Sequence, residues 1–213
     1  MRRLYPWQKM ALALSALALV SGCILIPEIV KKIVELALSG STTVDFVAVG
    51  ILNTHDARKT IDVEKDLNLL KVLDDAGIRV ADLKDIKLLS VSYRVTRPEA
   101  ATPGREIQNG NVTIERGSGG GTETPLVSNF NVLVNAATTF QAALLDQAGV
   151  ALVNALLQDI LTKAKGGVPT NPDLRITYHV TGDSVPGNVP TDFDWQLKIE
   201  VSIVGTVTVD VPE

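Results

Sequence analysis

A chain of 213 residues with 46% hydrophobic content is long enough for one domain with a sizeable core. Its net charge of −4, from 20 basic and 24 acidic side chains, argues against the basic face that a nucleic-acid partner needs. Aromatic residues at 4% leave few rings on which a sugar could stack, and a single cysteine leaves no disulfide within the chain.

The chain opens with a positive stretch, Met1-Arg2-Arg3 and Lys9, followed by an apolar run from Ala11 to Val20 broken only by Ser15. That run is about half the ~20 residues a membrane-spanning helix requires, and small residues follow it, so it reads as a secretory signal peptide over residues 1–22. The next residue is the only cysteine.

The stretch Val20-Ser21-Gly22-Cys23 resembles the lipobox of bacterial lipoproteins. The resemblance covers residues 1–23 only, and residues 24–213 resemble no family. It implies cleavage between Gly22 and Cys23, a diacylglycerol on the Cys23 sulfur and often a further acyl chain on its amine. Several acyl chains hold a protein on a membrane durably where one does not. Ile24 stands where an aspartate would favour inner-membrane retention, which by family behaviour points to the outer membrane, facing the periplasm or the cell surface. Without Arg2, Arg3 and Lys9, 17 basic side chains face 24 acidic ones, a net charge of −7. Electrostatic docking on anionic lipid is therefore not expected beside the anchor.

Residues 23–42 read as the lipidated cysteine and a tether, with residues 43–213 as a single β-rich domain. Pro27 to Leu38 is predicted as a short helix: proline suits the first turn, Gly40 follows the end, and Ile26, Ile29, Val30, Ile33, Val34 and Ala37 share one face. Thr43 to Leu52 is predicted as a strand apolar on both faces, and Asn53 to Asp56 as a turn. Thr60 to Glu64 alternates as a half-buried strand, and Lys65 to Ala76 is helical with Gly77 as its stop. Ile86 to Arg97 is a strand with Leu89, Val91, Tyr93 and Val95 on one face. Asn109-Gly110 reads as a hairpin turn, Gly117 to Thr122 as the most flexible link, and Val127 to Asn135 as a strand. Thr139 to Lys165 is the main helix, with a potential break near Asp146; its apolar stripe includes Leu152, Val153, Leu156, Ile160 and Leu161, while Asn154 and Gln158 face away. After the alternating strand Leu174 to Thr181, apolar residues fall on odd positions from Phe193 to Val211, with that parity kept across Gly205. One long strand, bent at Gly205, fits better than a hairpin, and such strands serve two sheets or curl along a barrel. The fold class is mainly β (α+β): a β-sandwich or open barrel with a long covering helix and a short N-terminal helix.

No catalytic constellation emerges. His55 and His179 are too few for a zinc site once Cys23 carries lipid, and both read as solvated. No G-x-S-x-G elbow is present. Gly117 to Gly121 lacks the lysine of a phosphate loop. Asp192 and Asp194, near Asp183, could offer oxygens to Ca²⁺, but not at the spacing of a calcium loop. Asn129, Asn131 and Asn135 line one strand face. No metal and no cofactor are expected. The functional expectation is a non-enzymatic lipoprotein, a structural or binding module of the cell envelope held to the membrane through Cys23, with other envelope proteins as candidate partners. The alternative is a carrier or sensor of an apolar ligand in a cavity between sheet and helix, and a hydrolase with dispersed residues is the third reading.

Overall fold

Eight strands build two four-stranded antiparallel sheets, and their order obeys one rule. In the computed structural model, which describes residues 30–99 and 104–211, the strands are β1 (Val30–Ile51), β2 (Thr54–Asp62), β3 (Leu83–Arg97), β4 (Glu106–Arg116), β5 (Thr124–Leu133), β6 (Gln141–Ala142), β7 (Arg175–Val185) and β8 (Thr191–Val211). The sheets run β1-β8-β3-β6 and β2-β7-β4-β5. Strands 4 and 5, 3 and 6, 2 and 7, and 1 and 8 are neighbours, as if one long hairpin had been folded at Gly117 to Glu123 and rolled up. This is the jelly-roll form of the β-sandwich. Residues 33–208 form one unit; residues 1–32 and 209–213 belong to another, largely outside the described residues.

The core lies between the sheets and is fed by alternation. On β8, Phe193, Trp195, Leu197, Ile199, Val201 and Ile203 are all buried. The strand passes through Gly205 unbroken, as the parity predicts, but it stays within one sheet, between β1 and β3. Gly205 sits close under Ile78: a Cβ there would come within 2.8 Å of the isoleucine methyl.

The predicted N-terminal helix is not formed. From Val30 onward its residues belong to β1, and Pro27 to Ile29 lie outside the described residues. The strand splits the predicted helical face: Val34 joins Leu36 and Leu38 in a half-buried even-numbered row that continues into buried Gly40, Val44, Phe46 and Ala48, while Ala37 falls on the exposed odd-numbered row. A helix of about twelve residues is marginal alone, whereas β1 has β8 to pair with along the sheet. The strand is not apolar-buried on both faces either: Val47 and Val49 face outward at 67% and 72% exposure.

On β3, Leu89 is exposed rather than sharing a buried face with Val91, Tyr93 and Val95. Leu88 pairs with Val201 and Ser90 with Glu200, so Leu89 is the extra residue of a bulge that resets the parity. Asn109-Gly110 likewise forms no hairpin turn. Asn109 takes a left-handed conformation (φ 51°), the register against β7 jumps between Gln108 and Asn111, and β4 continues. Gly110 lies flat against Phe130, whose ring would be 2.6 Å from a Cβ.

The helices close one side of the sandwich. Lys65 to Ala76 is two short helices, α1 (Val63–Leu67) and α2 (Leu69–Asp75), divided at Asn68, which is left-handed. The main helix, α3 (Gln147–Ala164), begins at Asp146, whose carboxylate accepts the Ala148 N–H as its cap. Residues 139–146 are not helical. Gly149 makes the approach to β5 possible: a Cβ there would lie 2.3 Å from the Pro125 carbonyl oxygen. Asn154 and Gln158 do not face away as periodicity suggests. Asn154 accepts the Leu88 N–H (2.8 Å), and the Gln158 amide donates to the Ile86 carbonyl (2.9 Å). They cover the β3 edge that the two-residue β6 leaves open. Leu156, Leu157 and Ile160 enter the core at 0–1% exposure. Among the described residues no helix is long and apolar enough to cross a membrane.

Candidate functional site

The densest polar constellation lies on the outer face of the β2-β7-β4 sheet. Register creates it: Arg58 on β2 stands opposite His179 on β7, which stands opposite Thr113 on β4. One step along, Thr60, Thr177 and Glu115 form the next row. The β4–β5 link brings Glu123 over the first row. His179 is not solvated as expected. Its Nδ1 lies 2.9 Å from Glu123 Oε1 and its Nε2 lies 3.0 Å from Asp56 Oδ1. Arg58 Nη2 donates to Glu123 at 2.5 Å. The Thr113 hydroxyl, then His179 and Arg58, hold the Glu123 carboxyl down at about 2.

The glycine link is also tied down. Glu115, buried on β4, accepts the N–H groups of Gly120 (3.0 Å) and Gly121 (2.6 Å), with Arg58 3.6 Å away. The Gly117 N–H donates to the Arg175 carbonyl, and the Thr177 hydroxyl donates to the Gly117 carbonyl. The backbone donors that a phosphate would need are occupied by the chain's own carboxylate. Glu115→Ala should release them, and limited proteolysis should then cut between Gly117 and Gly121 several times faster at unchanged far-UV circular dichroism; equal cutting rates would show that Glu115 does not hold the link.

Chemically this cluster is a latch. Both ring nitrogens of His179 face carboxylates, and the nearby hydroxyls serve the fold: Thr113 donates to Glu123, and Thr60 pairs with Thr177.

His55 is corrected too. It lies in β2, not in a turn, and is 2% exposed beneath the aromatic cluster of Phe46, Phe193 and Trp195. Trp195 Nε1 donates to His55 Nε2 (3.3 Å), and Nδ1 has no partner among the described residues. Burial lowers its pKa to about 4, against a smaller opposing pull from Asp56. Trp195 itself is buried, as its parity with Phe193 and Leu197 predicts.

The proposed Ca²⁺ oxygens have separate duties. Asp192 accepts the Gly50 N–H, Asp194 makes a two-pronged pair with Arg97, and Asp183 accepts from the Asn109 amide. Among the described residues no three His, Cys, Asp or Glu side chains are placed to share a metal. Asn129 and Asn131, on β5, bond to the β4 bulge: Asn131 accepts the Asn109 N–H and Asn111 accepts the Asn129 N–H, while Asn135 lies beyond the end of β5. Gly22 and Cys23 lie outside the described residues.

Sequence reasoning missed Arg58, Glu115, Glu123 and Arg105. Arg58 meets Glu115 across the β2-β7-β4 sheet and meets Glu123, 65 positions away, through the β4–β5 link, so no local spacing announces them. Arg105 is fully buried, and its Nη1 donates to the Val189 and Pro190 carbonyls and to Thr191 Oγ1, pinning the approach to β8.

No family model matches the chain, and no curated protein matches it. A solved structure titled "Crystal structure of decameric BFDV Capsid Protein" is similar at 11% identity, over 81% of this chain and 99% of that one, with a TM-score of 0.30. A likeness of that degree identifies neither a family nor a function.

Proposed function

We propose that the protein is a non-enzymatic lipoprotein of a bacterial cell envelope, a jelly-roll module held to the membrane by lipid on Cys23. The observation that carries this reading is the lone cysteine after Val20-Ser21-Gly22, behind a basic start and an apolar run. Six residues separate Cys23 from Val30, the first residue of β1. Ile24 after the cysteine favours the outer membrane.

A module rather than an enzyme is supported by the engaged nitrogens of His179 and the self-occupied glycine link. A module rather than a carrier is supported by the helix stripe of Leu156, Leu157 and Ile160, which packs into the core with no exposed surface to speak of. The deciding experiment is Cys23→Ser, because only a thiol accepts the diacylglycerol. Wild type should incorporate labelled fatty acid and fractionate with membranes, and the variant should incorporate none. Equal labelling of both would overturn the anchor.

A further inference from the structure

Among the described residues no strand lies along the outer edge of β1, and we propose that two copies of this chain join there as an antiparallel dimer that fuses the two β1-β8-β3-β6 sheets into one. The inference is independent of lipid on Cys23.

The other sheet edges carry devices against stray pairing along their length, whereas β1 has one only at its end, the left-handed Gly50 (φ 65°). The β3 edge is covered by Asn154 and Gln158 from α3. β6 is two residues long. β5 carries Pro125 and a left-handed Asn129. β2 carries three exposed charges, Asp56, Arg58 and Lys59. Such charges, prolines, kinks and covers are what keep edges apart. Among the described strands β1 bonds to β8 alone. From Ile33 to Ile51 it has no proline and no basic residue, and its only charges are Glu35 and Asp45. Its outward row ends in Val47 and Val49, both mostly exposed.

The pattern selects a register. An antiparallel pair around a two-fold axis matches each residue with one whose number completes a fixed sum. An axis at Thr43 sets Thr43 against its own copy, Asp45 against the Ser41 hydroxyl, and Val49 against Ala37. The outward odd-numbered row stays on one face in both copies, and no like charges meet. An axis at Asp45 would instead place two carboxylates in contact. Short of the left-handed Gly50, the Thr43 register engages residues 37–49, a ladder of about 43 Å at ~3.3 Å per residue. With a sheet-to-sheet thickness of ~10 Å, that edge buries roughly 900 Å² in total, the size of a weak, transient interface.

Thr43→Cys tests the register. Residues directly opposite in an antiparallel pair have Cα atoms ~4.5–5.5 Å apart, within the span of a disulfide. The full chain, with Cys23→Ser to remove the other thiol, would be solubilised in mild detergent and gently oxidised. Most of it should run as a covalent dimer on a non-reducing gel. Adding Val47→Lys and Val49→Lys, exposed substitutions that leave circular dichroism and melting unchanged, should reduce the dimer at least tenfold. Lys59→Cys on the β2 edge should stay monomeric under the same oxidation. A monomeric Thr43→Cys chain, or equal cross-linking from Lys59→Cys, would overturn the proposal. Because the chain tested carries no lipid, that result would leave the anchor reading untouched.

Discussion

Leu156→Ala is expected to destabilise the domain by about 2–5 kcal/mol, measured as a lower urea midpoint at an unchanged slope. Leu156 has no exposed surface and sits on α3 between Leu157 and Val153, where the helix seals the seam between the β3 and β5 sides of the two sheets. Removing its side chain leaves a hole in packed surroundings, and the helix cannot follow inward. Gly149 already lies in contact with the Pro125 and Leu126 backbone, and Asn154 and Gln158 tie the helix to β3. The loss would be a large share of the ~5–15 kcal/mol by which a domain is stable. A carrier with a lipid-sized space under α3 behaves differently: the same change would enlarge an existing void, cost under about 1 kcal/mol and alter saturable binding of an apolar fluorescent probe. That pair of results would replace the module reading with the carrier.

Acid should weaken the fold through His55 well before the carboxylates titrate. Its pKa falls from 6.5 in the open chain to about 4 in the folded domain because burial disfavours the imidazolium. Between those values the unfolded chain binds the proton and the folded one does not. Stability is therefore fully present above pH 6.5, is lost as pH falls toward 4, and levels off below it. The fall from 6.5 to about 4 corresponds to about 3 kcal/mol, most of it expressed above pH 4.5. His55→Gln keeps an acceptor for the Trp195 N–H and cannot titrate in this range. Its urea midpoint should be nearly flat from about pH 6.5 to about 4.5, while the wild-type midpoint falls steadily. Parallel curves for the two proteins would remove His55 as the cause.

The residues most legible in the sequence were those whose local period equals their structural role. The odd-numbered apolar residues of β8 from Phe193 to Ile203 are buried as the alternation says, and the passage through Gly205 follows from a valine where a primed turn would need a glycine or asparagine. The helical stripe of α3 is readable for the same reason, since Val153, Leu156, Ile160 and Leu161 recur at the spacing of one face. Where a segment satisfies two periods, the sequence was ambiguous. Val34 fits a helix face with Val30, Ile33 and Ala37 and a strand face with Leu36 and Leu38, and only the presence of β8 alongside decides for the strand. Asn109-Gly110 is ambiguous in another way: a left-handed asparagine serves a turn or a bulge equally well, and β5 across the sheet makes it a bulge.

By itself, then, the sequence determined the two-residue alternation of the core, the mainly β class, and the basic, apolar and small-residue sequence that ends at Cys23, because each is written in neighbouring residues. Tertiary structure decided the jelly-roll order, the burial of His55 and the latch at His179, because each depends on which distant strands lie side by side. Asp56 meets His179 across 123 positions, and Trp195 meets His55 across 140. Strand register, not local pattern, sets such meetings, and a one-residue slip in any of these ladders would turn every one of those side chains to the opposite face.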